Sequence, residues 1–530
     1  MIPRRALAAL LVAPASTGQA RAQNVPAPVT GGRLTLAFGD PVSSIDPQLN
    51  NFGGDRSVDL HAFDLLVENR NGTLHPGLAE SWRLLDPTTW EFTLRRGVLW
   101  HDGQPFTADD AIFSYARAKD VPGSAASFGG YLREIAATEA PDPHRLIVRT
   151  HGPAPLLPLN LASVHIVARH AAEGATSTDF NSGRAAVGTG PYRFVSYTPG
   201  DRITFRRNDA YWGGRPEWED VVIRLVPNAA ARTAALLAGD VDVIERVSVA
   251  DAEGLGRRPE VRVFAHPGLR VLLLCPNPSP GPNAFVQAAD GSPLPDNPLR
   301  DKRVRHALSL ALDRRGLADR LLQGQAVPAG QWMPEGSFGY EPSLRAPMPD
   351  PEAARRLLAE AGLPNGFRLT LHVPTDRYVR GPETAQAVAQ MWTRVGVRTT
   401  VENMPWTTFS ARAANGEFAM PVLAWGNGTG EASYALVNVI GSYDPAAGRG
   451  SSNWGRYVNP EVDRLLESAV RELDDGKREA VLRESARLVM GETGIIPVFH
   501  YRNLWAARRG LSVSTLVSDR TAAMMVRREG

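Results

Sequence analysis

Cysteine is almost absent from these 530 residues, Cys275 being the only one. That excludes an internal disulfide framework and any multi-cysteine zinc or iron–sulfur site. Lysine is nearly as scarce: Lys119, Lys302 and Lys477 stand against a large majority of arginine, a bias that a GC-rich genome explains without a functional cause. Charge of one sign is not in excess, since 58 basic and 56 acidic residues leave +2, too balanced for a nucleic-acid partner. No apolar run approaches the roughly 20 residues a membrane-spanning helix needs. Glycine (49) and proline (42) are frequent but without period, which excludes collagen-like and low-complexity chains. Catalytic signatures are missing as well: no G-x-S-x-G elbow, no H-E-x-x-H, no G-x-x-x-x-G-K-[ST]. Gly188-Thr-Gly190-Pro-Tyr192 lacks the later glycine of a dinucleotide loop, and Gly426-Asn-Gly-Thr-Gly430 has no lysine to hold a phosphate.

What is present begins with an export signal. Arg4-Arg5, the apolar stretch Ala6 to Ala13 and the small-residue site Ala20-Arg21-Ala22 predict a cleaved secretory peptide over residues 1–22. Its removal takes away three arginines and no acid, which moves the balance from +2 to −1. No cysteine follows the apolar core, so a lipid-anchored form is not available. The expectation is a soluble, near-neutral protein of a Gram-negative periplasm.

A single hydrophobic core stops growing near about 250–300 residues, so this length demands at least two domains. Strand and helix patterns alternate throughout, which predicts an α/β fold. Strands are expected at 33–38, 90–94, 221–226, 367–373, 397–401 and 494–499, with a hairpin pairing 192–197 and 202–206 around Thr198-Pro-Gly-Asp201. Thr107-Ala-Asp-Asp110 is a capping box, and Asp350-Pro351 and Asn459-Pro460 open two further helices. The stripes Val304, Ala307, Leu308, Ala311 and Val462, Leu465, Leu466, Ala469 are core faces. The Pro- and Gly-rich stretch from Cys275 to Pro298 breaks regular structure and is expected to mark a crossing between domains.

Candidate chemistry is sparse. His165 and His170 form the nearest approach to a ligand pair and read as a solvated or capping pair. Asp109-Asp110 are helix-start acids, Asp474-Asp475 a loop, and Cys275 a buried inert thiol after Leu272-Leu-Leu274. Trp406 and Trp425 lie between strands, Trp425 directly before the glycine loop, where a rigid aromatic can line a ligand cleft or equally fill a core.

The order of segments resembles the bacterial extracellular solute-binding proteins of family 5, the peptide, opine and nickel receptors of ABC importers. The resemblance rests on Ser44-Ile-Asp46-Pro47, Phe63-Asp-Leu-Leu66, Leu74 to Trp82, the long run Phe92 to Asp110, Gly188 to Tyr192, Asn208-Asp-Ala-Tyr-Trp212, Ala238 to Val243, Asp301 to Leu308, Ala354 to Gly362 and Ile495 to Phe499. It implies a two-lobed periplasmic binding protein fold (large, type II-like) with an extra subdomain inserted in the first lobe. Lobe I would comprise 32–47, 180–270 and 488–530, the insert 48–179, and lobe II 271–487. It implies a monomer, neither enzyme nor cofactor-dependent, that captures a peptide or other small organic solute between the lobes and delivers it to permease subunits in the inner membrane. Matching motifs position by position places Asn51, Phe52, Glu245, Arg246, Trp406, Trp425, Asn427 and Tyr501 at the ligand. One departure stands out. Peptide receptors of the family hold an aspartate three residues after the tryptophan matched by Trp425, and here that position is Gly428. Losing a charge-assisted contact worth ~1.5–3 kcal/mol weakens free-amine recognition, although Glu245 or Glu431 could substitute; an opine-like or sugar-containing ligand fits this loop equally well, peptides stay favoured by the resemblance, and a metal chelate is a further alternative. A secreted hydrolase is the remaining alternative, for which no nucleophile–base or acid pair is in sight.

Overall fold

The computed structural model describes residues 32–70, 72–514 and 518–529; the expected export signal lies outside the described residues. Locally encoded elements form where the sequence predicts them. The strand Arg33–Phe38 and the antiparallel hairpin Tyr192–Thr198 with Arg202–Arg207 appear as read. Thr107 and Asp110 make a reciprocal capping box for the helix Ala108–Ala118. Asp350 and Asn459 cap Pro351–Glu360 and Pro460–Ala469 through their side chains. Asp474, expected in a loop, caps Asp475–Gly491 by accepting from the Lys477 amide.

Most strands join one 12-stranded mixed sheet. At one end the hairpin 192–207 leads to Asp220–Leu225, then to Arg33–Phe38 and Val243–Glu245, the last three running parallel. At the other end lie Met420–Gly426, Phe367–Pro374 and Val397–Met404. Two long antiparallel strands join the halves: Val261–Leu274 and Ile496–Arg508. Their ladder is interrupted between Pro267 and Val271, where proline can supply no N–H to the ladder. The crossing therefore runs through continuous strands, and the Pro-rich stretch after Cys275 lies beyond it, tied to the second half by Cys275 and Asn277 amides bonding the Pro421 and Ala419 carbonyls.

Several cores accompany the sheets among the described residues, of which three groups position the site. Leu36, Phe38, Ile203, Ile223 and Trp505 belong to the first, which draws on both ends of the chain. Leu272, Leu308, Leu371 and Phe499, with the neighbouring cluster around Leu273, Phe409 and Leu466, make the second. A separate four-stranded antiparallel sheet, Ala79–Asp86, Thr89–Leu94, Arg145–Thr150 and Ile135–Asp142, carries the third, running from Leu66 to Ala168. The sequence assigned all of 48–179 to this inserted unit, but Val58, Ala62 and Phe63 pack into the first core. Ile496, Val498 and Phe499, assigned to the first lobe, pack with Leu272 and Leu371 of the second.

Several of the motifs quoted above prove to be one buried knot. Asp64 accepts from Thr189 Oγ1 at 2.9 Å, Tyr211 Oη at 3.1 Å and Trp212 Nε1 at 2.7 Å. Burial pushes its carboxyl up to about 6 against the pull of those donors. Gly188 is required because a Cβ there would lie 1.7 Å from the Ala62 carbonyl oxygen. The glycine pair is thus a docking surface for a helix end and not a phosphate loop.

Candidate functional site

The ends of the first-half strands converge on the crossing. After Arg33–Phe38 the Gly39 amide donates to Glu245 Oε1 at 3.0 Å, and Asp40 follows. Glu245 closes the strand Val243–Glu245, and Arg246 turns out of it at φ 50°. The Arg246 guanidinium pairs with Asp40 at 2.5 Å and with Asp519 at 3.1 Å, and Arg270 on the crossing strand lies 3.6 Å from Asp519. Burial raises Asp40 and Glu245 above the usual carboxylate range; it acts the same way on Asp519, but Arg246 and Arg270 outweigh it and hold that group low. This alternating chain of charges leaves neither Glu245 nor Arg246 free. Both stand near the crossing, engaged with protein partners.

Aromatic residues form the second-half side. The Trp406 ring lies 6.0 Å from Tyr378 and 5.8 Å from Trp454 between centroids, with the Arg377 guanidinium 5.1 Å above it. Tyr501, on the strand Ile496–Arg508, donates its hydroxyl to the Val379 carbonyl at 3.1 Å. Trp425 sits opposite Val271 in the ladder, 5.4 Å from the Tyr434 ring, with its indole N–H buried and unpartnered.

A cavity of about 1,110 Å³ lies farther out, between residues 127–160 of the inserted unit and residues 429–471 of the second half. Asn51, Tyr131, Thr429 and Tyr434 line its inner end. Asn51 accepts from Arg56 Nη1 at 2.7 Å and donates to Tyr131 Oη at 3.1 Å. Burial, reinforced by the Tyr131 hydroxyl from the opposite wall, pushes the Tyr434 phenol up. The walls also touch where Asn69 Nδ2 donates to the Thr429 carbonyl at 2.8 Å.

Of the sequence-selected residues, Asn51 alone lines this cavity, and Trp425 backs it through Tyr434. Phe52 is 44% exposed at the start of the helix Gly53–Ala62. Asn427 is fully buried and turned inward: its amide donates to the Glu431 carbonyl at 2.8 Å and its oxygen accepts from Thr429 Oγ1 at 3.0 Å, so it shapes the glycine loop and does not face a ligand. Glu431 is likewise engaged, by Ser433 at 2.9 Å and Arg478 at 3.8 Å. Of the pair read as solvated or capping, His165 is fully buried beside Asp59, whereas His170 pairs with Asp102 at 2.6 Å. Among the described residues no group of three His, Cys, Asp or Glu side chains is placed to hold a metal ion. Tyr131 and Tyr434 escaped the sequence reading because neither carries a local signal.

A model of the bacterial extracellular solute-binding proteins, family 5 Middle, matches residues 73–446. The chain belongs to family 5. Among family 5 relatives, the heme-binding protein A of Haemophilus influenzae is 29% identical over 466 residues, covering 83% of this chain and 81% of the relative. The dipeptide-binding protein of Escherichia coli is 28% identical over 497 residues, covering 88% and 89%. The structure of HbpA2 from Haemophilus parasuis superposes with a TM-score of 0.80 at 24% identity, over 94% of this chain and all of that one. The open, unliganded murein tripeptide-binding protein MppA gives 0.77 at 23% identity, covering 94% and 98%. At these identities the structures establish the fold, and it is the two-lobed α/β architecture that the sequence predicts. No helix among the described residues is long and apolar enough to cross a membrane.

Proposed function

We propose that this chain is the periplasmic solute receptor of an ABC importer, freed from a signal peptide at residue 22 and holding its cargo between two lobes. The cavity of about 1,110 Å³ walled by both 127–160 and 429–471 carries this reading. A solute touching both walls binds the closed arrangement better than the open one, so its binding shifts the equilibrium toward closure. A permease can then tell loaded from empty receptor by shape, with no covalent step. The first lobe is taken as the core built from 32–65, 172–266 and 502–529 together with the inserted unit of 66–168, the second as 271–501.

Peptide cargo has the support of the dipeptide- and murein-peptide-binding relatives. A non-peptide cargo is favoured by one specific feature, the loop after Trp425. A Cβ at Gly428 would meet nothing within 4 Å, so an aspartate would fit there and is nevertheless absent, while Glu245 and Glu431 are committed to protein partners. An opine-like or otherwise acidic solute suits this loop. Native mass spectrometry of protein purified without denaturation tests the reading. A retained mass in the range of a few hundred daltons is expected. An empty receptor that also shows no melting shift with di- and tripeptides, opines and sugar conjugates would overturn it.

A further inference from the structure

The lining of the cavity between 127–160 and 429–471 is sorted by chemistry. Its ionisable side chains, tyrosines apart, belong to the mouth: Arg133, His151, Glu467 and Arg471 are exposed, Glu134 pairs with Arg133 at 3.2 Å, and Arg449 with Glu467 at 3.1 Å. Each wall also carries an apolar surface. On one side Leu157, 1% exposed, belongs to the core of the inserted unit and has Leu156 beside it. On the other, Leu466 belongs to the core around Leu273 and Phe409, with Val437 and Val470 packed against that core. The two cores thus turn apolar edges toward the same space without meeting there.

The inner end is uncharged but rich in hydrogen-bonding groups. Arginine only donates, so the bond from Arg56 Nη1 turns the Asn51 carbonyl toward it and the Asn51 amide toward Tyr131, whose oxygen accepts at 3.1 Å. Tyr131 stands on the inserted unit and Tyr434 on the second half, its ring 5.4 Å from Trp425. The two hydroxyls interact: burial raises the Tyr434 phenol, the Tyr131 hydroxyl reinforces that, and Arg56 opposes it. A bond between the two phenols uses one of their two protons, whichever of them donates. The other proton has no acceptor among the described residues. The neighbouring hydroxyls of Thr429 and Ser433 already direct their protons to Asn427 at 3.0 Å and Glu431 at 2.9 Å.

A half-buried donor without an acceptor is costly, and an oxygen supplied by the solute removes that cost. Apolar surface on both walls is best taken out of water by an apolar body. The volume, at the top of the range of about 300–1,000 Å³ for pockets that enclose small organic molecules, admits both parts at once. We propose that the captured solute is amphipathic: an acceptor oxygen of its head is held by Tyr131 and Tyr434, and an alkyl or acyl body lies between Leu156 and Leu157 on one wall and Val437, Leu466 and Val470 on the other. The inference rests on the solute-capture reading and names the chemical class of its cargo. Because the tyrosines stand on opposite walls, one solute oxygen shared between them ties the walls together.

The test uses the full receptor, stripped of solute, in native mass spectrometry with N-octanoylglycine, N-acetylglycine and octylamine. The first has head and body, the second lacks the body, and the third lacks the acceptor. Each methylene taken out of water is worth about fourfold in affinity, so N-octanoylglycine is expected to be retained at least tenfold better than N-acetylglycine. It should exceed octylamine by a similar margin. In Tyr434→Phe and in Tyr131→Phe the margin over octylamine should shrink to under threefold, while the margin over N-acetylglycine persists. Val470→Asp should do the reverse. Each margin compares two probes on the same folded variant, so a loss of stability does not imitate it. Equal retention of N-acetylglycine overturns the apolar body, and equal retention of octylamine, or phenylalanine variants that leave both margins intact, overturns the tyrosine clamp. Retention of dipeptides or opines but of none of these three probes overturns this inference and leaves the solute-capture reading standing. If nothing in either panel is retained or shifts the melting temperature, both fall.

Discussion

His61 shows how much a single side chain can fix. It is fully buried on the helix Gly53–Ala62, and the Ala523 amide donates to its Nε2 at 3.0 Å, which leaves the proton on Nδ1 to face the Ser57 carbonyl at 3.0 Å. Burial lowers its pKa from 6.5 to about 4. The unfolded chain therefore takes up this proton first as pH falls. The stability it contributes is complete above pH 6.5 and is lost as pH drops toward 4, at most about 1.4 kcal/mol per pH unit for one proton. His61→Gln should be flatter than the wild type by that slope over pH 4–6.5 in urea unfolding; parallel curves would refute the assignment. The same neutral imidazole anchors the segment that carries Asp519 and Arg520. Nothing in the residues around His61 announces this, because the partner amide lies 462 positions away. The caps at Thr107, Asp350 and Asn459 were legible for the opposite reason: donor and acceptor lie within three residues of each other.

Among elements, the helix Gly53–Ala62 is the most connected. It meets the glycine motif at its C-terminal end, the C-terminal segment along its side through Ser57 and His61, and the cavity through Arg56 and Asn51. A methyl group at Gly188 would run into backbone and not into a yielding side chain, so Gly188→Ala should cost about 1–3 kcal/mol, as overpacking of rigid cores does. Calorimetry should show a lowered melting temperature; an unchanged one would mean the helix end can retreat freely. Strand positions were readable from alternation, yet Ile496–Arg508 exceeds its predicted span because its outer half is paired on both sides and loses the two-residue period. The helix itself drew no prediction, since its buried face includes Asp55, Arg56, Asp59 and His61, polar residues that binary patterning counts as solvent-facing.

At the scale of the molecule, the division into two lobes was inferable from length and motif order, whereas the cavity was not. Its walls come from residues some 300 positions apart, brought together only by the joining strands. The contact of Asn69 with the Thr429 carbonyl gives a reporter of closure. Cys275, buried and with its thiol pushed up to about 12, is a silent background for introduced thiols. Asn69→Cys with Gly428→Cys and a short bis-thiol reagent should cross-link more completely in protein as purified than after its solute has been stripped. Equal yields would show that these two segments do not report on loading.

The first core also sets an order of events during synthesis. Phe38 and Leu36 are among the earliest core residues made, and Trp505, Ala507 and Met525, which complete their packing, are among the last. A chain emerging from the ribosome cannot finish this core until Val526 has been made, whatever the second core has done by then. For a polypeptide that must thread a narrow translocation pore, such lateness is useful. In the export proposed above, the part that leads through the pore would stay loose until the tail arrives on the far side to clasp it, so the strand arrangement that joins the two halves would also time their assembly.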